Sequence, residues 1–127
     1  MTYKRGMVIS VDLGINCGSE VNKKRPCVVV QNDMGNKHSP TLIVLAISHR
    51  NATLPTQVEL KRWMMTGSNR VDGIVMAEQI RTIDKKRVDY IYGSLNDEAM
   101  KLIDEALFTS LGSVNNFVYS HSLINNW

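Results

Sequence analysis

The sequence predicts a mainly β protein, a small barrel or curled sheet with a C-terminal helix. Three observations predict it. Short apolar, β-branched runs recur at close spacing up to about Tyr92. Clusters of Gly, Pro, Asn and Ser separate those runs, as turns require. Beyond Asn96 the apolar residues switch to helical spacing.

The elements follow in order. Met7–Asp12 alternates in part and reads as a first strand, followed by a polar loop from Gly14 to Lys24. Pro26–Val30 is a short continuous apolar run, a buried strand. Asn32–Pro40 is rich in Asn, Gly, Ser and Pro and reads as a turn. Thr41–Ser48 is the longest apolar run and the expected central strand, leaving the core at Ser48-His49-Arg50. Gln57–Leu60 alternates as an edge strand does, Gly73–Ala77 leads a further strand into Glu78-Gln79, and Val88–Tyr92 is the last. Asn96 is a suitable N-cap, with Asp97 and Glu98 where the helix dipole favours anions. Ala99, Leu102, Ile103, Ala106 and Leu107 then form one apolar stripe, and Gly112 stops the helix.

A chain of 127 residues without an internal linker is one domain, 1–112, followed by a C-terminal extension, 113–127, of unassigned role. At 43% hydrophobic and 21% charged residues it is an ordinary globular chain, not a disordered one. The formal net charge of +3 permits a polyanionic partner without requiring one. Positive charge is clustered at Lys23-Lys24-Arg25, Lys61-Arg62 and Lys85-Lys86-Arg87, runs that could line a groove. Cys17 and Cys27 have no metal-ligand spacing, and no His/Asp/Glu cluster supplies one. Cys27 reads as a small core residue and Cys17 as an exposed one. The N-terminus lacks an apolar segment of signal-peptide length, and no stretch approaches a membrane span, so the expected localisation is cytoplasmic.

The segment from Gly18 to Asp33 carries the most chemistry. A polar loop with Glu20 runs into Arg25-Pro26, which opens the buried strand. Proline fixes φ and has no N–H, so it suits the first residue of a strand and pins the arginine just outside the sheet. The guanidinium is charged at any working pH and its rigid fork matches a phosphate.

Gly18-Ser19-Glu20, Arg25-Pro26, Val30-Gln31-Asn32-Asp33, Ser39-Pro40-Thr41, Leu54-Pro55-Thr56, Glu78-Gln79-Ile80-Arg81-Thr82-Ile83-Asp84 and Asp104-Glu105-Ala106-Leu107 stand in order along the chain. This ordered set resembles the PemK/MazF family of toxin endoribonucleases, from about Arg5 to about Leu111. The resemblance implies an SH3-like, strongly curved β-barrel with a C-terminal helix. It further implies a homodimer, a cognate antitoxin as protein partner, and metal-independent cutting of single-stranded RNA with no cofactor. RNA carries its own nucleophile, the 2′-OH, and attack by it leaves a 2′,3′-cyclic phosphate and a 5′-OH. By the same resemblance Arg25 and Ser48 are the catalytic candidates. Ser48 keeps the hydroxyl of the threonine usual in the family. Ser19, Glu20, Lys23, Lys24, Glu78 and Gln79 are the supporting or RNA-binding candidates. Glu20 and Glu78 could each accept a proton or orient Arg25, and Gln79 could bond a base edge. A plain structural alternative for Glu78 is an ion pair with Arg81 or a basic loop. No histidine matches a family position; His49, next to Ser48, should point to the opposite face.

Two departures concern the groove. Met7 replaces the aspartate usual after the opening glycine, and Val21-Asn22-Lys23-Lys24 replaces a loop that usually carries glycine. Two other functions share the fold: a non-catalytic toxin that poisons DNA gyrase, as the CcdB proteins do and as terminal Trp127 suggests, and a relative that binds RNA without cutting it. Arg25-Pro26 and Ser48 follow the ribonuclease pattern.

Overall fold

Seven strands form one antiparallel sheet: β1 (Met7–Asp12), β2 (Lys24–Val29), β3 (Thr41–Ser48), β4 (Gln57–Glu59), β5 (Met65–Thr66), β6 (Ile74–Asp84) and β7 (Val88–Leu95). Their spatial order is β4-β6-β3-β2-β1-β7-β5. Among the described residues two α-helices accompany them, α1 (Asp33–His38) and α2 (Asp97–Ser110). The computed structural model describes residues 2–15, 17–18, 23–52, 54–67 and 69–112. The extension 113–127 and the loop residues Ser19 and Glu20 lie outside the described residues.

The sheet curls because its ladders are interrupted. Along β1 and β7, Val8 faces Gly93 but Ile9 faces Ile91, and Ser10 faces Tyr90 but Val11 faces Val88. β7 thus carries an extra residue at Tyr92 and another at Asp89. Each such bulge bends the strand and increases its twist. A larger shift interrupts β3 and β6: Leu45 faces Ile80 while Ile47 faces Val75, so Ala46 alone is set against residues 76–79.

Both faces are covered. On one, α2 lays Ala99, Met100, Ile103 and Ala106 over Val8, Val28, Leu45, Ile47 and Val75. A side chain as fully buried as Ile103 contributes about 1.5–3 kcal/mol. Asn96 caps α2 as its sequence suggests, its side chain accepting from the N–H of Ala99 at 2.9 Å. The other face holds Ile9, Val11, Cys27, Val29, Val44 and Ala46.

β1 and β3 have the bounds their patterns predict, and β4 lies at an edge of the sheet. One expectation is corrected: the segment taken for a plain turn, 32–40, contains α1. Asn32 caps it by accepting from Gly35 N–H at 2.8 Å. Asn36 turns inward, 2% exposed, and donates to the Gln31 carbonyl at 2.9 Å. Gln31 in turn donates to the Asn36 side chain at 3.1 Å and to the Thr41 carbonyl at 2.9 Å. Residues that usually break a helix here cap and anchor one. β6 is also longer than the predicted run, continuing through Glu78 and Gln79 to Asp84, and the two-residue β5 has no pattern that sequence periodicity could register.

Candidate active site

β2 and β3 pair with Cys27 opposite Ala46, Val28 opposite Leu45 and Val29 opposite Val44. The same register, run on by two residues, sets Arg25 against Ser48. Arg25 is two places before Cys27 and Ser48 two places after Ala46, so strand alternation puts both on the face holding those core residues. Val11 of β1 flanks Arg25 on its other side. Arg25 is half-buried and Ser48 is 6% exposed. Burial pushes the Cys27 thiol up to about 12, while the charges of Arg81 and Arg25 each draw it the other way.

Glu78 and Gln79 emerge from the interruption in β6, opposite Ala46, two places before Ser48 on β3. A bulge re-aims side chains, which is why bulges recur beside binding sites. Both carboxylate oxygens of Glu78 are engaged: Thr56 Oγ1 donates to Oε1 at 3.1 Å and Gln57 Nε2 to Oε2 at 2.6 Å. Glu78 therefore grips the segment entering β4 rather than Arg81, whose guanidinium donates to the Leu13 carbonyl at 3.5 Å. Gln57 also accepts from Leu54 N–H at 3.3 Å, so the turn before β4 is fastened at both ends.

Beyond Ser48 the chain borders a cavity of about 430 Å³, formed by residues 49–52, Glu59 and Leu60 at the end of β4, and residues 72–74 entering β6. Gly73 closes directly on the end of β3. It has φ 138°, and a Cβ there would lie 2.5 Å from the Ser48 carbonyl oxygen.

A model of the PemK-like, MazF-like toxins of type II toxin-antitoxin systems matches residues 4–111. The chain belongs to this family. It is 46% identical over 119 residues to endoribonuclease EndoA of Bacillus subtilis, covering 91% of this chain and 99% of that one. A mycobacterial endoribonuclease, solved in complex with its cognate antitoxin, superposes with a TM-score of 0.71 at 28% identity, over 87% of this chain and 96% of that one. MazF of Deinococcus radiodurans, at 18% identity, shares the fold with a TM-score of 0.74, over 88% of this chain and 98% of the other.

The structure separates the two lysines of this PemK/MazF-family loop. Lys23 sits at φ 64°, the only non-glycine residue with positive φ among those described. It holds the base of the loop through main-chain bonds, Leu13 N–H to its carbonyl at 2.9 Å and its own N–H to the Gly14 carbonyl at 2.7 Å. A lysine thus occupies a left-handed position in the loop. Lys24 alternates to the face opposite Arg25. Its Nζ lies 2.8 Å from Asp89, the extra residue of β7. The hydrogen bond from Lys24, helped by one from Ser10, holds the Asp89 carboxyl below the usual range, and the same contact raises Lys24. His49 is exposed, as is His38 in the last turn of α1; His121 lies outside the described residues.

Sequence reasoning did not find Thr56, Gln57 or Gly73 as neighbours of the site. Thr56 stood within the family-like Leu54-Pro55-Thr56, but no spacing tied it to Glu78, 22 residues away. Gly73 had only its place before an apolar run.

Proposed function

We propose that this chain is an endoribonuclease that cuts single-stranded RNA at preferred sequences by attack of the 2′-OH on the adjacent phosphorus. What supports the reading is the β2–β3 register, which continued two residues past Cys27 and Ala46 brings Arg25 opposite Ser48, in a chain of this toxin family. Such a reaction needs the 2′-OH aligned, charge on the phosphoryl oxygens stabilised, and two protons moved.

Arg25 supplies the fixed cation and can donate toward the departing 5′-oxygen. Ser48 supplies a hydroxyl to the phosphoryl group. Glu20 is the better proton acceptor of the two candidate carboxylates. Both oxygens of Glu78 are already taken up by hydrogen bonds from Thr56 and Gln57, so its role is to orient the segment entering β4. Gln79, half-buried in the same bulge, bonds a base edge in this reading. Ser19 and Lys23 contact phosphates along the groove, and Lys24 does so only when released from Asp89. The products carry 2′,3′-cyclic phosphate and 5′-OH ends, and no metal takes part because the nucleophile is internal to the substrate.

The mycobacterial relative solved with its antitoxin supports a protein partner that covers this groove. The same reading gives a homodimer; the sheet has edges at β4 and β5 that a second copy could cover. Light scattering should then give twice the mass of the chain.

The test is a short RNA carrying one 2′-deoxy position, incubated with EDTA. Cutting at every susceptible site except the deoxy one supports the mechanism. Cutting at the deoxy site, or a strict metal requirement, overturns it. No cutting of any RNA, with gyrase inhibited instead, would move the assignment to a non-catalytic toxin.

A further inference from the structure

We propose that the cavity beyond Ser48 is a subsite for one nucleobase beside the scissile phosphate, and that it selects a base bearing an exocyclic amino group. The inference rests on the ribonuclease reading above. Its position is set by the chain: residues 49–52 follow Ser48 directly, and Gly73 seals the cavity against the Ser48 carbonyl because it has no side chain to hold the two apart. A nucleotide whose phosphate meets Arg25 and Ser48 has its neighbour within reach of this space. The volume of about 430 Å³ is in the range of small-molecule clefts, ~300–1,000 Å³.

The lining matches a base better than an anion. His49 and Arg50 are exposed planar groups, the kind on which unstacked bases lie. Arg50 can also meet an adjoining phosphate. Asn51 offers both a donor and an acceptor. Glu59 and Asp72 bring carboxylates, and Glu59 is tied to Lys61 at 3.0 Å. A free phosphate gains little beside two carboxylates. A hydrogen-bond donor gains from them, because an ionised carboxylate only accepts. Adenine, cytosine and guanine present amino groups on their edges. Uracil presents two carbonyl oxygens around a single N–H, and those oxygens would face Asp72. The exposed carboxylate of Asp72 is therefore the selecting group, with Asn51 bonding the remaining edge.

The experiment digests a randomised single-stranded RNA briefly with the full-length chain and sequences the new 5′ ends. The wild type, Asp72→Asn and Asn51→Ala are compared. Wild type should disfavour uracil at one position next to the cut. Asp72→Asn, which keeps the shape but adds amide donors, should shift preference at that position toward uracil by roughly 5- to 100-fold, the scale of one good base-edge contact. Asn51→Ala should flatten preference at the same position. Preferences elsewhere should be unchanged, and so should the melting temperatures, since both side chains are exposed. An equal fall in cutting at all sequences, or an unchanged profile for Asp72→Asn, overturns the subsite while leaving the ribonuclease reading intact. A wild type that cuts no RNA overturns the reading and the subsite together.

Discussion

Gly73 and Ser48 touch so closely that a Cβ on Gly73 would fall 2.5 Å from the Ser48 carbonyl oxygen and 2.9 Å from Ile47 Cγ2. Backbone atoms cannot yield as a side chain can, so the end of β3 would have to move. Gly73→Ala should destabilise the fold by about 1–3 kcal/mol and slow cutting further than that loss explains. Gly67→Ala is the control. Gly67 also has positive φ, 96°, but nothing lies within 4 Å of its would-be Cβ. Urea melts and initial rates of both variants separate backbone strain from displacement of Ser48. Equal rates in the two would place the Gly73 contact outside catalysis.

Arg25→Ala should remove cutting while the urea midpoint stays near wild type. A preorganised donor at developing charge is typically worth about 2.7–4 kcal/mol, or 10²–10³ in rate. Arg25→Lys should recover little, because a point charge does not reproduce the guanidinium fork. Full activity in Arg25→Ala would remove it from the mechanism.

For Ser48 the contrast is between Ala and Thr. Ser48→Ala should slow the reaction by roughly one to three orders of magnitude if the hydroxyl meets the phosphoryl group. Ser48→Thr should retain activity, since its added methyl chiefly restricts χ1. Single-turnover rates at saturating protein read the chemical step directly. An Ala variant as fast as wild type would reduce Ser48 to a strand-end residue.

Much of this fold was legible because β-branched runs and turn residues repeat locally. β1 and β3 were visible at their full lengths, as was α2 with its Asn96 cap. Arg25 and Ser48 could be named from ordered motifs, but their opposition depends on the β2–β3 register, which no local pattern encodes. The grip of Thr56 and Gln57 on Glu78 was invisible for the same reason, since it depends on β6 bulging opposite Ala46. α1 was missed because Asn32 and Asn36 are turn formers by propensity. The bonds of Asn36 to Gln31 and Asp33, and the Asn32 cap on Gly35, hold the helix.

Lys23 offers a test of the loop's departure from glycine. Its φ of 64° is the left-handed region, which costs a residue with a Cβ roughly 1–2 kcal/mol. Lys23→Gly should remove that strain and, after the extra entropy of glycine in the unfolded chain, leave stability unchanged or raised by up to ~1 kcal/mol. Lys23→Val should destabilise, because β-branching resists that conformation. Denaturant titration of the two variants checks the sign. A Lys23→Gly variant less stable than wild type would show that the lysine side chain contributes more than its backbone strain removes.

Lys24 and Asp89 form an ion pair between β2 and β7 whose removal tests both stability and RNA binding. The Asp89 carboxyl is held below its ordinary value by Lys24, and Lys24 is held above its own by Asp89. The sign follows for each group. The stabilisation from Asp89 is present above the unfolded-state carboxylate value, about 3.9, and is lost as pH falls through the lower folded value. That from Lys24 is present below its unfolded value, about 10.4, and is lost as pH rises through the higher folded one. The pair therefore stabilises the fold between these limits, modestly because both partners are exposed and screened by salt. Asp89→Asn should lower the urea midpoint slightly at pH 7, with the difference closing as pH falls through the lowered folded value of Asp89. The same variant frees Lys24. If RNA phosphate competes with Asp89 for that ammonium, binding to a non-cleavable 2′-deoxy oligonucleotide should tighten. Its dependence on log salt should steepen by up to about 0.7, one phosphate contact on a single strand. Binding titrations at several salt concentrations give the slope, and an unchanged slope would leave Lys24 to the β2–β7 contact alone.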